Sequence, residues 1–324
     1  MILVGRPLRT FLATPASAAI ADWYLPLSLA SNAWWEAAGN GSDITVYAQN
    51  HTTRLPCSLV AFNATAKTGH LFIGRGTATA CYVECGSGRA AQAVTDPYGR
   101  NAVWEAGALG AWHLADKTDS TGKSTSTSTS EPGYTAANLI TKPALFAVAS
   151  SNYINTGCAT DGLTDFSVLS WITPATGTVF PWSSRNNGTT GGIMCVCQSK
   201  VGIGFSSGAN YVYRRAENYV LGTPSLYIAT HAAGVADLVL YKDGTLLSGA
   251  ATTLQHTATI PTDPANSSTS FTFGRDGAGS TPYYFTSTIG HTRLYNRVLS
   301  GTECLALDAN LRTPATFWTI GACF

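Results

Sequence analysis

Charge is scarce in this chain. Asp, Glu, Lys and Arg make up 11% of its 324 residues, and 19 basic against 18 acidic residues leave a net charge of +1. No basic face is available to neutralise a run of phosphates, so a nucleic-acid partner is not expected. Runs of about 18 apolar residues are missing, and with them any expectation of a transmembrane helix. Long amphipathic helical periodicity is missing too. What the chain has instead is 45% hydrophobic residues and 32 glycines in a Ser-, Thr- and Ala-rich background. That composition buries cores and turns often, which predicts an all-β protein, and the length suits two domains.

Period-two alternation predicts strands at Trp23–Leu29, Asp43–Ala48, Leu55–Phe62, His70–Gly74 and Ala80–Cys85. Further strands are predicted at Asp165–Ile172, Ile193–Cys197, Val201–Phe205, Leu226–His231 and Asp237–Leu247. Asp243-Gly244 between apolar runs marks a tight hairpin. Near the C-terminus, Phe271–Gly274 alternates, Asp276, Gly277 and Gly279 supply a turn, and Ser300 with Glu303 forms a capping box for a short helix at about 300–311. Two segments stand apart. Met1–Asp22 reads as an apolar arm, with Arg6, Arg9 and Asp22 its only charges and Pro7 and Pro15 opposing a helix. Arg6, Pro7 and Arg9 also interrupt the apolar stretch that a secretory signal needs, so no cleaved signal is expected. Two placements stay open for the arm: an edge strand on its own domain, or an anchor on neighbouring subunits. Lys117–Gly133, with its Ser124–Ser130 run, reads as a linker whose side chains bond their own backbone. The predicted boundaries are therefore 1–22 arm, 23–116 first domain, 117–133 linker and 134–324 second domain with a C-terminal tail.

Eight cysteines, Cys57, Cys81, Cys85, Cys158, Cys195, Cys197, Cys304 and Cys323, lack the paired C-x₂-C spacing of a structural zinc site. Buried free thiols and disulfides both remain open, and Cys323 is the one placed to bridge subunits. If Cys81 and Cys85 share a strand, they lie about 13 Å apart and cannot pair.

Catalytic signatures are thin. Gly204, Ser206 and Gly208 fit G-x-S-x-G, but no strand-to-helix alternation surrounds them. The histidines are scattered, and His113 and His231 read as structural. Asp161, Asp165, Asp243 and Asp276 sit near turns and offer oxygens to calcium, although turn chemistry alone explains them. Aromatic pairs are the best candidates for a ligand surface: Tyr211 and Tyr213 with Arg214 and Arg215, Tyr283 with Tyr284, and Trp34 with Trp35. Rings stack on sugar faces and arginines bond hydroxyls.

The segment with Arg293, Tyr295, Asn296, Arg297, Leu299, Ser300 and Glu303 resembles the C-terminal end of laminin-G-like, concanavalin A-like jelly rolls. That family has an acidic pair where this chain has Gly290-His291. The resemblance covers roughly 134–312. Residues 71–116, through Tyr82–Ser87, Tyr98–Trp104 and Trp112–Asp116, resemble a domain of unknown function that precedes such jelly rolls in bacterial and phage proteins. The Glu-x-Asp-x-x-Glu strand of jelly-roll glycosidases is absent, so no enzymatic activity is expected. The resemblance implies an all-β chain of two β-sandwiches, the second a jelly roll with one short C-terminal helix. It further implies a structural component of a tailed-phage virion (head decoration, collar or fibre), assembled in the host cytoplasm. Such a component would be oligomeric and held to other virion proteins through residues 1–22. The alternative is a carbohydrate-binding adhesin or receptor-binding module at the cell surface or outside the cell, directed at a glycan.

Overall fold

Most alternating sequences become strands in the computed structural model, although the predicted Trp23–Leu29 strand ends at Pro26 and Leu27–Leu29 form a 3-10 turn. The structure describes residues 9–86, 90, 92–128, 130–134, 144–146, 151–174, 176–185, 191–198, 200–265, 269–276 and 283–324. The chain divides into two units: Met1–Ala106 together with Gly301–Phe324, and Gly107–Ser300.

The first unit holds a five-stranded antiparallel sheet in the order Trp318–Cys323, Arg9–Pro15, Cys81–Cys85, Thr45–Ala48, Arg54–Leu55. A three-stranded sheet of Asp22–Pro26, Thr68–Gly74 and Cys57–Asn63 accompanies it. Ser31 caps the helix Asn32–Ala38 by accepting from the Trp34 amide. That helix buries Trp34 and Trp35, which removes the pair from the candidate ligand surfaces. The helix Gly301–Arg312 begins directly after Ser300, as the sequence predicts, but it belongs to this unit. Asn310 on it accepts from the Tyr24 amide and donates to the Tyr24 carbonyl, both at 2.7 Å, completing the backbone bonding of the strand Asp22–Pro26. Trp318 Nε1 donates to the same carbonyl, and its ring meets Trp23 edge-on at 5.5 Å.

Two expectations are corrected here, and the cysteine alternatives left open are narrowed. From Arg9 onward there is no arm. Arg9–Pro15 is an interior strand, paired as Phe11↔Val83 on one side and Ala13↔Ile320 on the other, because Phe11 and Ala13 gain full burial there. Residues 1–8 lie outside the described residues. The helix is one of three among the described residues, with Asn32–Ala38 and Pro314–Phe317, and it closes the first unit rather than the jelly roll. All eight cysteines are free thiols. Cys81 and Cys85 are the two ends of one strand, and Cys195 and Cys197 both enter the core of the second unit from another. Burial pushes the Cys57 thiol up to about 11 and Cys158 to about 12, so neither is a ready nucleophile.

The second unit is a β-sandwich of two antiparallel sheets. One sheet runs Thr245–Leu246, Val239–Lys242, Ser225–His231, Phe166–Ile172, Ser287–Tyr295, Ala144–Phe146, Gly133–Tyr134, with Ala108–Trp112 also paired to Ser287–Tyr295. The facing sheet runs Ile154–Asn155, Thr272–Phe273, Thr178–Ser183, Gly192–Gln198, Val201–Ser207, Asn210–Ala216, Thr252–His256. Trp112, Phe146, Phe166, Trp182, Phe205 and Phe273 fill the space between them. Asp243 and Gly244 take positive φ (48° and 76°) in the hairpin that the sequence marked.

The predicted boundary at 116 moves to 106 because Ala108–Trp112 completes this sandwich. The predicted linker is likewise part of it. Asp119, 2% exposed, accepts from the amides of Ala111, Thr121 and Ser124 and from the hydroxyls of Thr121 and Ser124. Thr127 bridges Asn155, and Glu131 gathers Lys117, Ser128 and Tyr134.

His291, where the resembling family is acidic, is fully buried in the strand Ser287–Tyr295. Its Nε2 lies 2.8 Å from Arg293 Nε, which can only donate, so the proton sits on Nδ1, facing His113 Nδ1 at 3.1 Å. Burial first, then the charges of Arg293 and His113, hold His291 well below the usual imidazole range. The unfolded chain therefore takes up a proton near pH 6.5 that the folded chain refuses. Stability is full above that pH and falls by up to about 1.4 kcal/mol per pH unit below it. Urea midpoints between pH 8 and 5 should show this slope, and His291→Gln should flatten it. An equal slope in both proteins refutes the assignment.

Candidate functional site

The facing sheet of the second unit has a core side and an outer side, and the outer side carries a ligand-sized concavity. Alternation places Ile193, Cys195 and Cys197 in the core and sends Met194, Val196 and Gln198 outward. Two strands away, Val212 and Ala216 go inward while Tyr211, Tyr213 and Arg215 go outward. The strand between them offers only Gly202 and Gly204 opposite Tyr213 and Arg215. A Cβ at Gly202 would stand 2.7 Å from Tyr213 Cδ2, and one at Gly204 2.0 Å from the Val212 carbonyl oxygen. The missing side chains let the Tyr213 ring lie flat across the sheet. Its hydroxyl reaches Gln255 Oε1 at 3.1 Å and Gln198 Oε1 at 3.3 Å. Burial, reinforced by Tyr211, raises the Tyr213 phenol above its ordinary range, so it remains a hydroxyl at neutral pH.

Tyr211 stacks on Tyr213 with centroids 5.5 Å apart and planes 23° apart. From the other side, Phe180 meets Tyr283 at 6.0 Å, and the Arg185 guanidinium lies 5.2 Å above the Phe180 ring. Asp276, completely buried, holds Arg185 through a 2.7 Å bond to Nη2 and a 3.4 Å bond to Nε, and also accepts from Ser183 Oγ. The concavity so formed measures about 210 Å³, with Tyr283 49% exposed at its rim. It offers ring faces, a fixed guanidinium and an amide. No carboxylate lines it among the described residues.

The structure thus brings together Tyr211, Tyr213 and Tyr283 of the sequence candidates. Arg215 shares their face of the sheet. Arg214 does not, because its side chain points to the core side and pairs with Asp237 and the Leu238 carbonyl. Tyr284 bridges Arg275 instead of lining the concavity. Sequence reading missed Phe180, Arg185 and Gln198. The one signal for them was the Gly202–Gly204 pair, which clears room across the strand. Ser206, in the G-x-S-x-G match, lies mid-strand and buried, where no nucleophile elbow can form. Three of the turn aspartates already serve donors of the chain itself. Asp165 accepts from the Ala233 amide, Asp243 from the Leu226 amide, and Asp276 serves Arg185. No cluster of three or more metal-ligating side chains occurs among the described residues. No described helix is long and apolar enough to cross a membrane.

No protein-family profile matches the chain. No curated protein matches it by sequence. Solved structures do match in shape. The fourth domain of AbnA, a GH43 extracellular arabinanase from Geobacillus stearothermophilus solved with arabinotriose, is 18% identical with a TM-score of 0.42, covering 63% of this chain and 100% of that one. A Trypanosoma rangeli sialidase mutant is 14% identical with a TM-score of 0.44, over 78% of this chain and 44% of that one. The botulinum neurotoxin serotype G binding domain is 14% identical with a TM-score of 0.40, over 62% of this chain and 50% of that one. The chain thus spans half or less of the sialidase and the toxin domain. The all-β, sandwich-built architecture of this chain stands on its own strand pairing.

Proposed function

We propose that the protein is a carbohydrate-binding module and that the outer face of its jelly roll holds the glycan without cleaving it. The observation that carries this is the Tyr211–Tyr213 stack facing Phe180 and Tyr283 across a 210 Å³ concavity with Arg185 fixed at its wall. Sugar rings present apolar faces that stack on aromatic rings and hydroxyls that bond guanidinium and amide groups. Glycoside cleavage needs two carboxylates at the bond, and this concavity has none among its described lining residues. The finer laminin-G-like relationship rests on Arg293–Glu303 and belongs to the same proposal.

The test is a glycan array probed with the full chain, followed by calorimetry on the best ligand. Tyr211→Ala and Tyr283→Ala should each weaken binding about tenfold, equivalent to about 1.4 kcal/mol. An array with no signal above that of the doubly substituted protein refutes the reading. Display of this module on a tailed-phage particle, as an oligomer, is the second reading. It keeps the order of the two sequence resemblances but loses the arm from Arg9 onward, and purified particles lacking the chain would end it.

A further inference from the structure

A second concavity, of about 610 Å³, lies in the first unit and is independent of the aromatic platform. Two arginines from separate stretches of the chain share its wall. Arg54 begins the edge strand Arg54–Leu55, and Arg75 directly follows the strand Thr68–Gly74. Gly74 allows the walls to meet, since a Cβ there would stand 2.8 Å from Pro56 Cγ and 2.8 Å from the Val103 carbonyl oxygen. Arg54 packs its guanidinium 4.7 Å from the Tyr98 ring centroid, and Arg75 Nη1 donates to the Ala78 carbonyl at 3.4 Å. Neither arginine forms an ion pair among the described residues. The Nε of each is buried and has no hydrogen-bond partner. Glu105 is the one carboxylate on the wall among the described residues.

A buried guanidinium donor without an acceptor costs free energy. Two such arginines on one cleft wall offer guanidinium N–H donors of the kind an oxyanion takes up, since its oxygens accept several N–H bonds at once. Trp104, nearly buried in the wall and packed on Phe72 at 5.6 Å, gives the cleft an apolar side. We infer that the Arg54–Arg75 cleft binds the oxyanion group of a small ligand: a carboxylate, sulfate or phosphate, borne on an acidic sugar or a phosphorylated one.

The test uses the full chain, labelled with nitrogen-15, with sodium glucuronate, sulfate or inorganic phosphate titrated at constant ionic strength against chloride. The Arg54 and Arg75 Nε–H signals should shift and saturate. Arg54→Gln and Arg75→Gln should each weaken the response tenfold or more, Arg54→Lys should lose less, and Tyr211→Ala should change nothing. Saturation by glucuronate alone assigns an acidic sugar, and saturation by phosphate alone assigns a phosphorylated ligand. Shifts that chloride reproduces, or that persist in the Arg54→Gln/Arg75→Gln double variant with unchanged midpoint, overturn the inference. If a Gln variant fails to fold, Arg54→Lys decides: equal affinity to the parent for every anion removes the guanidinium donors as the cause.

Discussion

Replacing Asp119 by Ala is expected to lower the unfolding free energy of the Gly107–Ser300 unit by about 3 kcal/mol. The carboxylate is 2% exposed and accepts from three amides and two hydroxyls between Ala111 and Ser124. Thr121 and Ser124 carry hydroxyls that can turn elsewhere. The Ala111 amide cannot, because it sits in a fully buried strand residue. Leaving such a donor empty costs about 1–3 kcal/mol, and bonds to a charged acceptor are worth about 1.5–3 kcal/mol each before non-additivity. Asp119→Asn separates the contributions. One amide oxygen still serves Ala111 and Thr121, while the new NH₂ confronts the Ser124 amide, so about half the loss should remain. Urea unfolding of the full chain, followed by a probe in this unit, measures both. Equal midpoints for parent and Asp119→Ala would show that the segment 117–128 contributes nothing to the sandwich.

Asp119 also shows where sequence reading reached its limit. The Ser124–Ser130 run has a linker's composition, and nothing in composition reveals that one aspartate a few residues earlier gathers its donors. The C-terminal helix was legible as a helix, but its docking was not. It is fixed by Asn310 bonding Tyr24 from 286 positions away. Period-two patterns were read well in Gly192–Gln198 and Val201–Ser207, whereas the strand Asn210–Ala216 was not predicted. Tyr211 and Tyr213 were grouped as neighbouring aromatics, and without the strand the grouping also took in Arg214, which lies on the other face. Phe180 and Arg185 were invisible because the strand Thr178–Ser183 shifts register between Val179 and Trp182. That bulge turns Phe180 outward while Trp182 stays in the core. An even cysteine count carries no information on strand faces, and within the chain the thiols are unpaired, with Cys158, Cys195 and Cys197 serving as small core residues.

Asp276→Ala should cost both stability and ligand binding, and the pairing of the two losses is the informative result. Asp276 is completely buried and holds Arg185, whose side chain is 16% exposed, from below the aromatic platform. Removing one partner of a buried ion pair strands the other and costs about 3–5 kcal/mol when the survivor cannot move. Arg185 sits near the surface and can swing outward, so about 2–3 kcal/mol is expected here. The swing takes the guanidinium off the Phe180 face, and binding should fall about tenfold with it. Arg185→Gln/Asp276→Asn, which exchanges the pair for two neutral amides of similar size, should recover most of the stability but not the affinity. Calorimetric binding and urea midpoints on the same three proteins give both readings. If Asp276→Ala loses stability while binding stays intact, Arg185 is a structural residue only, and the platform recognises its ligand through the aromatic rings alone.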